Sequence, residues 1–308
     1  MNNKILITGT VAFDEIETPH GSSGKIIGGA GTYIGIASSL LTNNLAIVSI
    51  IGEDFPEKEI KFLNERGINT DMIEKVTGGK TFYWKGKYHE NMINRDTITT
   101  ELNVLEKFNP VLNPVFSSSE IVLLGNLHPA VQNAVINQST NPNRFIIMDT
   151  MNFWMDNTLD ELLSVIKKVN LIIINDEEAQ QLTGEKNIFN AGEKILKMGP
   201  EKVIIKKGEH GAMLFGKGNN EFFRTGAYPL ETVEDPTGAG DCFVGGIAGF
   251  IASSGKNSPS FEDLKASIAR GTVMASFNCE SFSVESLVDL TEDEVSERLE
   301  KFFKYTSF

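Results

Sequence analysis

Basic residues are scarce in this chain: 28 Lys and Arg stand against 41 Asp and Glu, and the formal net charge is −13. That balance argues against a nucleic-acid partner, which would want a basic face. It does not argue against an anionic nucleotide, because a few main-chain amides and one or two cations suffice to hold a phosphate. Cysteine is scarcer still. Cys242 and Cys279 make no disulfide framework, and a reduced, cytoplasmic compartment is the simplest expectation. No run of about 18 apolar residues is present to span a bilayer. The chain opens Met1-Asn2-Asn3-Lys4 and passes straight into Ile5-Leu6-Ile7, without the apolar core and small-residue cleavage site of a secretory signal. The four histidines, His20, His89, His128 and His210, are scattered, and no Cys-x-x-Cys occurs, so no zinc-binding pattern is visible.

Short apolar runs are present at residues 4–9, 45–51, 120–124, 144–149, 171–175 and 203–206. Helical patterns lie between them at 31–41, 56–66, 129–138, 159–168, 177–182 and 191–198. Near-continuous apolar strands spaced by helices predict a mostly parallel sheet covered on both faces. After Lys206 the rhythm changes. Residues 211–215 and 221–224, joined by Gly216-Lys217-Gly218-Asn219-Asn220, predict a hairpin, and helices dominate from Ala239 onward. Glu292, Asp293, Glu294, Glu297 and Glu300 read as the polar face of a terminal helix. Two stretches break the α/β rhythm, 13–27 with Pro19, Gly21 and Gly24, and 80–100 with the β-favouring aromatics Phe82, Tyr83, Trp84 and Tyr88. Together they predict a small, discontinuous β lid over the carboxyl ends of the main strands. The main α/β domain then comprises 1–12, 28–79 and 101–308.

The segment richest in chemistry is Asp235-Pro236-Thr237-Gly238-Ala239-Gly240-Asp241-Cys242. A glycine-rich turn opens an apolar helix near Ala239 and so delivers unpaired amides at a helix N-terminus, a ready anion site. Glycine permits close approach of the backbone to a phosphate. Asp241 sits in the first turn, where the helix dipole favours its ionised form. An ionised carboxylate beside a phosphate cradle can accept the proton of a hydroxyl that attacks phosphorus. The plainer alternative is that Asp241 merely caps the helix. Cys242, in the same turn, reads as packed and inert, since no basic partner for a nucleophilic thiol is apparent.

This segment closely resembles the signature of the ribokinase-like PfkB carbohydrate kinases, and the resemblance covers most of the chain in order. Gly28-Gly29-Ala30-Gly31 is similar to that family's diglycine motif at the lid hinge. Gly52-Glu53-Asp54, Leu63 and Gly67-Ile68 are similar to its next block. Asn175-Asp176-Glu177-Glu178 matches Asn-x-x-Glu, and Lys206-Lys207-Gly208-Glu209-His210-Gly211 resembles the strand and turn that lie against ATP. The resemblance implies a ribokinase-like α/β fold with a small β lid and a kinase transferring the γ-phosphate of ATP to a small sugar or sugar-like alcohol. It implies Asp241 as catalytic base and the amides of Gly238, Ala239 and Gly240 as anion hole. Asn175 and Glu178 would organise Mg²⁺, largely through water; a helix cap with a first-turn acid fits their spacing equally well. Asp235 and Thr237 would offer oxygens to a monovalent cation such as K⁺. Lys206, Gly208, Gly211, Thr237 and Asn278 would bind the nucleotide.

For the acceptor, Asp14 at a strand end matches an acid that holds substrate hydroxyls, and Gly28 and Gly29 would allow close approach. Thr32, Asn126, His128 and Asn152 are further candidates near strand ends. Where ribokinases carry an Asn after the diglycine, this chain has Tyr33, which sets it apart from ribokinases proper. Phe82, Trp84 and Tyr88 either stack on a nucleoside base, as in a nucleoside kinase, or fill the lid's own sheet or a contact between two lids of a homodimer. Arg95 either meets an anionic group or pairs with a neighbouring acid. Three other readings compete. Gly29-Ala30-Gly31-Thr32-Tyr33-Ile34-Gly35 imitates a dinucleotide-binding turn, but the strand before it is short. Gly79-Lys80-Thr81 ends like a P-loop, but the first glycine of that pattern would fall on Glu74. A non-catalytic nucleotide-binding module would have no use for a base at Asp241.

Overall fold

The computed structural model describes residues 2–219 and 221–307. Nine strands form the main sheet, in the spatial order β13-β12-β11-β10-β9-β8-β1-β4-β5. They are β1 (Ile5–Thr8), β4 (Leu45–Gly52), β5 (Ile68–Val76), β8 (Ile121–Leu124), β9 (Phe145–Met148), β10 (Leu171–Asn175), β11 (Lys202–Lys206), β12 (Ala212–Gly216) and β13 (Phe222–Thr225). The strands from β5 to β11 are parallel, and β12 and β13 close one edge as an antiparallel hairpin. Asn220 of the predicted hairpin turn lies outside the described residues.

The pairing explains why the strands read as unbroken apolar runs. Ile5 and Ile7 pack into one core with Ile47, Leu123, Ile173 and Ile204. Leu6, between them, packs into the other with Val48, Val122, Ile172 and Val203. Alternate side chains thus enter opposite layers, and neither face of a strand can be polar. β5 did not appear among the strands read from sequence. Its residues Ile68-Asn69-Thr70-Asp71-Met72-Ile73-Glu74-Lys75-Val76 are mostly half-buried or exposed, as befits an edge strand covered on one side. Among the described residues no helix is long and apolar enough to cross a membrane.

Chain direction reverses around β1. The chain runs outward through β4 and β5 on one side, then returns to β8 and proceeds through β9, β10 and β11 on the other. Such a switch point opens a crevice beyond the carboxyl ends of the strands. A second, four-stranded sheet in the order β3-β2-β6-β7 is built from two distant chain segments. Its strands are β2 (Ala12–Thr18), β3 (Gly21–Gly28), β6 (Tyr83–Tyr88) and β7 (Arg95–Glu101). β2 follows β1 almost directly, so the small sheet begins at the crevice.

One face of the main sheet carries the helices Ala30–Ser39, Ala239–Ser253 and Phe261–Asn278. The middle one approaches its neighbours through glycine. A Cβ at Gly245 would lie 2.6 Å from the Ile34 carbonyl oxygen, and one at Gly246 would lie 2.8 Å from the Gly271 Cα. The Ser38 hydroxyl donates to the Gly245 carbonyl at 3.0 Å. The intruding methyl of Gly245→Ala would meet backbone, which cannot swing away as a side chain can. That variant is expected to lose about 1–3 kcal/mol of stability, read as a fall of several degrees in thermal melting; an unchanged melting temperature would refute the close packing.

Candidate active site

The turn before helix Ala239–Ser253 is fixed from several sides. Asp235 is fully buried and its Oδ1 accepts the Thr237 N–H at 2.8 Å. Asn278, also fully buried, donates its side-chain amide to the Thr237 carbonyl at 2.7 Å, and its Oδ1 faces the Cys242 thiol at 3.3 Å. Gly238 adopts φ 78°, a left-handed conformation, and the ring of Tyr33 packs where its side chain would be, 2.5 Å from a Cβ. With its ends so held, the turn presents main-chain N–H groups outward. Those of Gly238, Gly240 and Asp241 meet no acceptor among the described residues. Ala239 differs from its assignment to the anion hole: its N–H donates to the Pro236 carbonyl at 3.2 Å. The available donors are therefore Gly238, Gly240 and Asp241.

Lys206, at the end of β11, reaches this turn. Its Nζ lies 3.2 Å from where a Gly240 Cβ would stand and 3.3 Å from Asp149 Oδ2. Asp149 follows β9 and was not among the residues singled out from sequence. The available signal was its place at the carboxyl end of a parallel strand, where ligand contacts concentrate. Glu178 joins the group from helix Asp176–Thr183. Asn175 and Glu178 form a reciprocal capping box, each side chain accepting the other's N–H at 2.8 Å. The plain structural role is thus present, and Glu178 is also buried beside Lys206 and Asp149.

Burial controls the electrostatics. It raises Asp241 to about 7, with Asp149 and Asp14 adding to the rise and Lys206 and Arg95 opposing it. The helix dipole alone predicted an ionised Asp241; withdrawal from water overrides it. Asp149 and Glu178 are likewise raised by burial. Burial pulls Lys206 down, but Asp149, Glu178 and Asp241 more than offset it, and the ammonium is held charged. One ammonium shared among three carboxylates cannot keep all three ionised.

Asp14 lies on β2, 5% exposed, and accepts the Gly29 N–H. Burial raises it to about 7, with Asp235 adding to the effect. Gly28 is required beside it, since a Cβ there would stand 1.9 Å from Asp14 Oδ2. Asp235 is raised by burial to about 6, and its Oδ2 is buried without a partner.

Other candidates are placed differently. Asn278 is fully buried with both polar ends engaged, so it supports the turn from beneath. Asn126 is committed to its neighbours, accepting from Trp154 Nε1 at 2.8 Å and donating to Met151 Sδ at 3.1 Å. Thr32 is buried, its hydroxyl without a partner. His128 caps its own helix by accepting the Ala130 N–H at 3.0 Å. Asn152 is exposed at the start of a short helix. Gly208 and Gly211 shape the turn after β11, both at positive φ, with open space around Gly208. Cys242 is fully buried, and burial pushes its thiol well above the ordinary range, as expected of an inert cysteine.

The small sheet touches this site directly. Thr237 Oγ1 donates to the Tyr88 hydroxyl at 3.2 Å. Trp84, two positions along β6 from Gly86, lays its ring over that glycine, and it pairs in register with Asp14 of β2.

Residues 6–289 match the model of the pfkB family carbohydrate kinases. The chain belongs to the pfkB family of carbohydrate kinases. Members are phosphotransferases acting on hydroxyl groups of sugars or nucleosides. Among curated pfkB-type relatives, a cytidine kinase of Thermococcus kodakarensis is 24% identical over 270 residues, covering 86% of this chain and 94% of that protein. Among solved structures, ribokinase from Giardia lamblia superposes with a TM-score of 0.82 at 18% identity, covering 98% of this chain and all of that one. Arabidopsis thaliana ribokinase complexed with ribose and ATP gives 0.75 at 18% identity, over 97% and 99% of the two chains. At such identities the superpositions establish the ribokinase-like fold.

The buried acids of this pfkB-family site have a measurable cost. Asp241 has a folded-state pKa above its unfolded value near 3.9. The folded state therefore holds its proton more tightly, and stability falls as pH rises from about 4 to about 7. Asp241→Asn removes the charge that burial disfavours. It is expected to exceed the natural protein in stability by on the order of 1–3 kcal/mol at pH 8, with no difference near pH 4. Melting curves at the two pH values check this; a variant no more stable at pH 8 contradicts it.

Proposed function

We propose that this chain transfers the γ-phosphoryl group of ATP to a hydroxyl of a small sugar-like alcohol. The observation that carries the reading is the convergence of three free N–H groups, Lys206 and the half-buried carboxylate of Asp241 at one helix N-terminus. The N–H groups of Gly238, Gly240 and Asp241 face the charge that spreads over the phosphoryl oxygens during transfer. Lys206, released from exclusive pairing with Asp149, neutralises part of it. The acceptor oxygen bonds to phosphorus, the bond from phosphorus to the ADP oxygen breaks, and the hydroxyl proton passes to Asp241. A base with a pKa near 7 suits that task at neutral pH. Asp14 accepts hydrogen bonds from neighbouring hydroxyls and so orients the acceptor. The Gly208–Gly211 turn after β11 borders the nucleotide.

Glu178, with one carboxylate oxygen left over from the capping box, and Asn175, whose single side-chain oxygen already accepts the Glu178 N–H, suit Mg²⁺ held through water. Such an ion would neutralise phosphate charge when bound. Asp235 Oδ2, buried and unpartnered, suits a monovalent cation such as K⁺, with the Thr237 carbonyl, already accepting from Asn278, as a neighbouring oxygen. The small sheet, from segments 13–27 and 80–100, would act as the lid that excludes water from the phosphoryl group. Exposed Ile98 on its edge strand β7 is in keeping with pairing of two lids in a homodimer. A cytoplasmic setting suits two free cysteines and an ATP-consuming reaction.

One observation favours a nucleoside as acceptor. Trp84 is half-buried and lies across from Asp14, on the sheet face that also carries Tyr88 to the signature turn, where a base could stack above a ribose.

ADP release with Mg²⁺ and ATP, measured over pentoses, hexoses and nucleosides, tests the reading; stimulation by none of them would contradict it. Asp241→Asn is expected to lower kcat by about 10²–10⁴-fold with ATP affinity little changed. Turnover at the natural rate would remove Asp241 from its role.

A further inference from the structure

The second of the two segments that build the small sheet departs from the main body after β5 and returns at the short helical turn Asn103–Lys107. Thr81 stands at the departure, buried, with every polar group engaged. Its N–H and its hydroxyl both donate to Asp54 Oδ1, at 2.8 and 2.7 Å. The hydroxyl accepts the Gly52 N–H at 3.0 Å, and the carbonyl accepts the Asn103 side-chain amide at 2.9 Å. Asn103 holds φ 50°, a left-handed conformation that asparagine adopts more readily than most residues. The Val104 N–H donates to the Lys80 carbonyl at 3.2 Å. A Cβ at Gly52 would stand 2.4 Å from the Lys80 carbonyl carbon, so glycine is needed where the two pieces of chain touch. Departure and return are thus tied to each other and to Gly52-Glu53-Asp54, a stretch that the proposed chemistry leaves without a role.

The same stretch grips the first segment. Phe55, next to Asp54, packs its ring on Phe13 with 5.3 Å between centroids. Lys25 of β3 places its ammonium 3.8 Å from the centre of the Phe13 ring and 4.0 Å from Asp54 Oδ2. One residue beyond Thr81, the Phe82 carbonyl accepts the Phe13 N–H at 3.0 Å. From there β2 and β6 run in register, with Asp14 opposite Trp84. The path from the Asp54 carboxylate to Asp14 therefore runs through the main chain of Thr81, Phe82 and Phe13, with no rotatable side chain between. Hydrogen bonds to an ionised carboxylate are stronger than those to a neutral oxygen, which suits Asp54 to hold the head of that path.

We propose that Asp54 is a positioning residue for the acceptor: by clamping Thr81 it fixes where β6 begins, and so the place at which β2 holds Asp14 over the crevice. This rests on the kinase reading above, in which Asp14 orients the acceptor hydroxyls. Asp54 touches no reacting atom and moves no proton. Releasing the clamp lets the two segments shift together against the main sheet and carry Asp14 with them. Lys206 and the donors of the signature turn are anchored in the main body and stay where they are. Acceptor binding is then weakened while nucleotide binding is kept, since a small misplacement of an orienting group is costly.

Asp54→Ala, Asp54→Asn, Thr81→Val and Thr81→Ser are compared with the natural protein by kinetics and by hydrogen exchange. With MgATP and ribose or cytidine, Asp54→Ala and Thr81→Val are expected to raise the acceptor KM about tenfold, with kcat and the KM for MgATP changed less than about threefold. Asp54→Asn keeps the accepting oxygen and Thr81→Ser keeps the hydroxyl, so both hold the acceptor KM within about threefold of the natural value. In the ligand-free proteins, the amides of β2 and β6 are expected to exchange about tenfold faster in Asp54→Ala, with those of β1, β8 and β9 unchanged. Exchange reads the clamp whether or not the kinase reading holds; absence of acceptor-stimulated ADP release in the natural protein counts against that reading alone. An acceptor KM within about threefold of the natural value in both Asp54→Ala and Thr81→Val overturns the proposal. So does unchanged exchange in the small sheet, or a loss spread equally over kcat and both KM values.

Discussion

Too many carboxylates and too few cations share one dry chamber, and much of the surrounding structure exists to tolerate that. Asp14, Asp149, Glu178 and Asp235 are buried and Asp241 is half-buried, and each is raised by its loss of solvent. In an apolar core such a group would be removed by selection for stability. Here the acids are anchored by main-chain donors: Gly29 to Asp14, Thr150 to Asp149, Asn175 to Glu178 and Thr237 to Asp235. Asp241 has no such donor and leans on Lys206, which is consistent with its being the group that exchanges a proton.

Holding the free amides in one direction requires that the turn be rigid where it meets nothing else. Asp235, Asn278 and Tyr33 hold three sides of it from the interior, and Tyr88 holds the fourth from the small sheet. The helix behind the turn is in turn locked by glycine-mediated contact with two neighbours. Position is thereby transmitted from the centre of the protein to the donors through backbone, with few rotatable bonds between.

The parallel sheet was legible because strands buried on both faces can only be apolar, and the hairpin and small sheet were visible as interruptions of that rhythm. The edge strand β5 escaped notice because its outward residues Asp71, Glu74 and Lys75 resemble loop composition. Asp241 and Asp14 were singled out from motif and strand-end position, and the structure withdraws both from water. Asp149 was not, since a lone acid after an apolar run carries no local mark; only the fold shows that β9 ends opposite Lys206. Asn278 was read as a nucleotide contact; its burial on a helix interior against the Thr237 carbonyl is a tertiary fact that no local pattern shows. That the amide of Ala239 donates to the Pro236 carbonyl was hidden for the same kind of reason: whether an N–H is free depends on the bend at Pro236, not on residue type.

The small sheet grows from two short excursions of the chain and carries Asp14, Trp84 and Tyr88, while the main sheet carries Lys206, Asp149 and the helix that bears Asp241. The two groups of side chains therefore rest on separately anchored pieces. Drift in the excursions can retune which alcohol is accepted without disturbing the buried machinery, so that one chemical engine can be refitted for new cargo at little risk to folding.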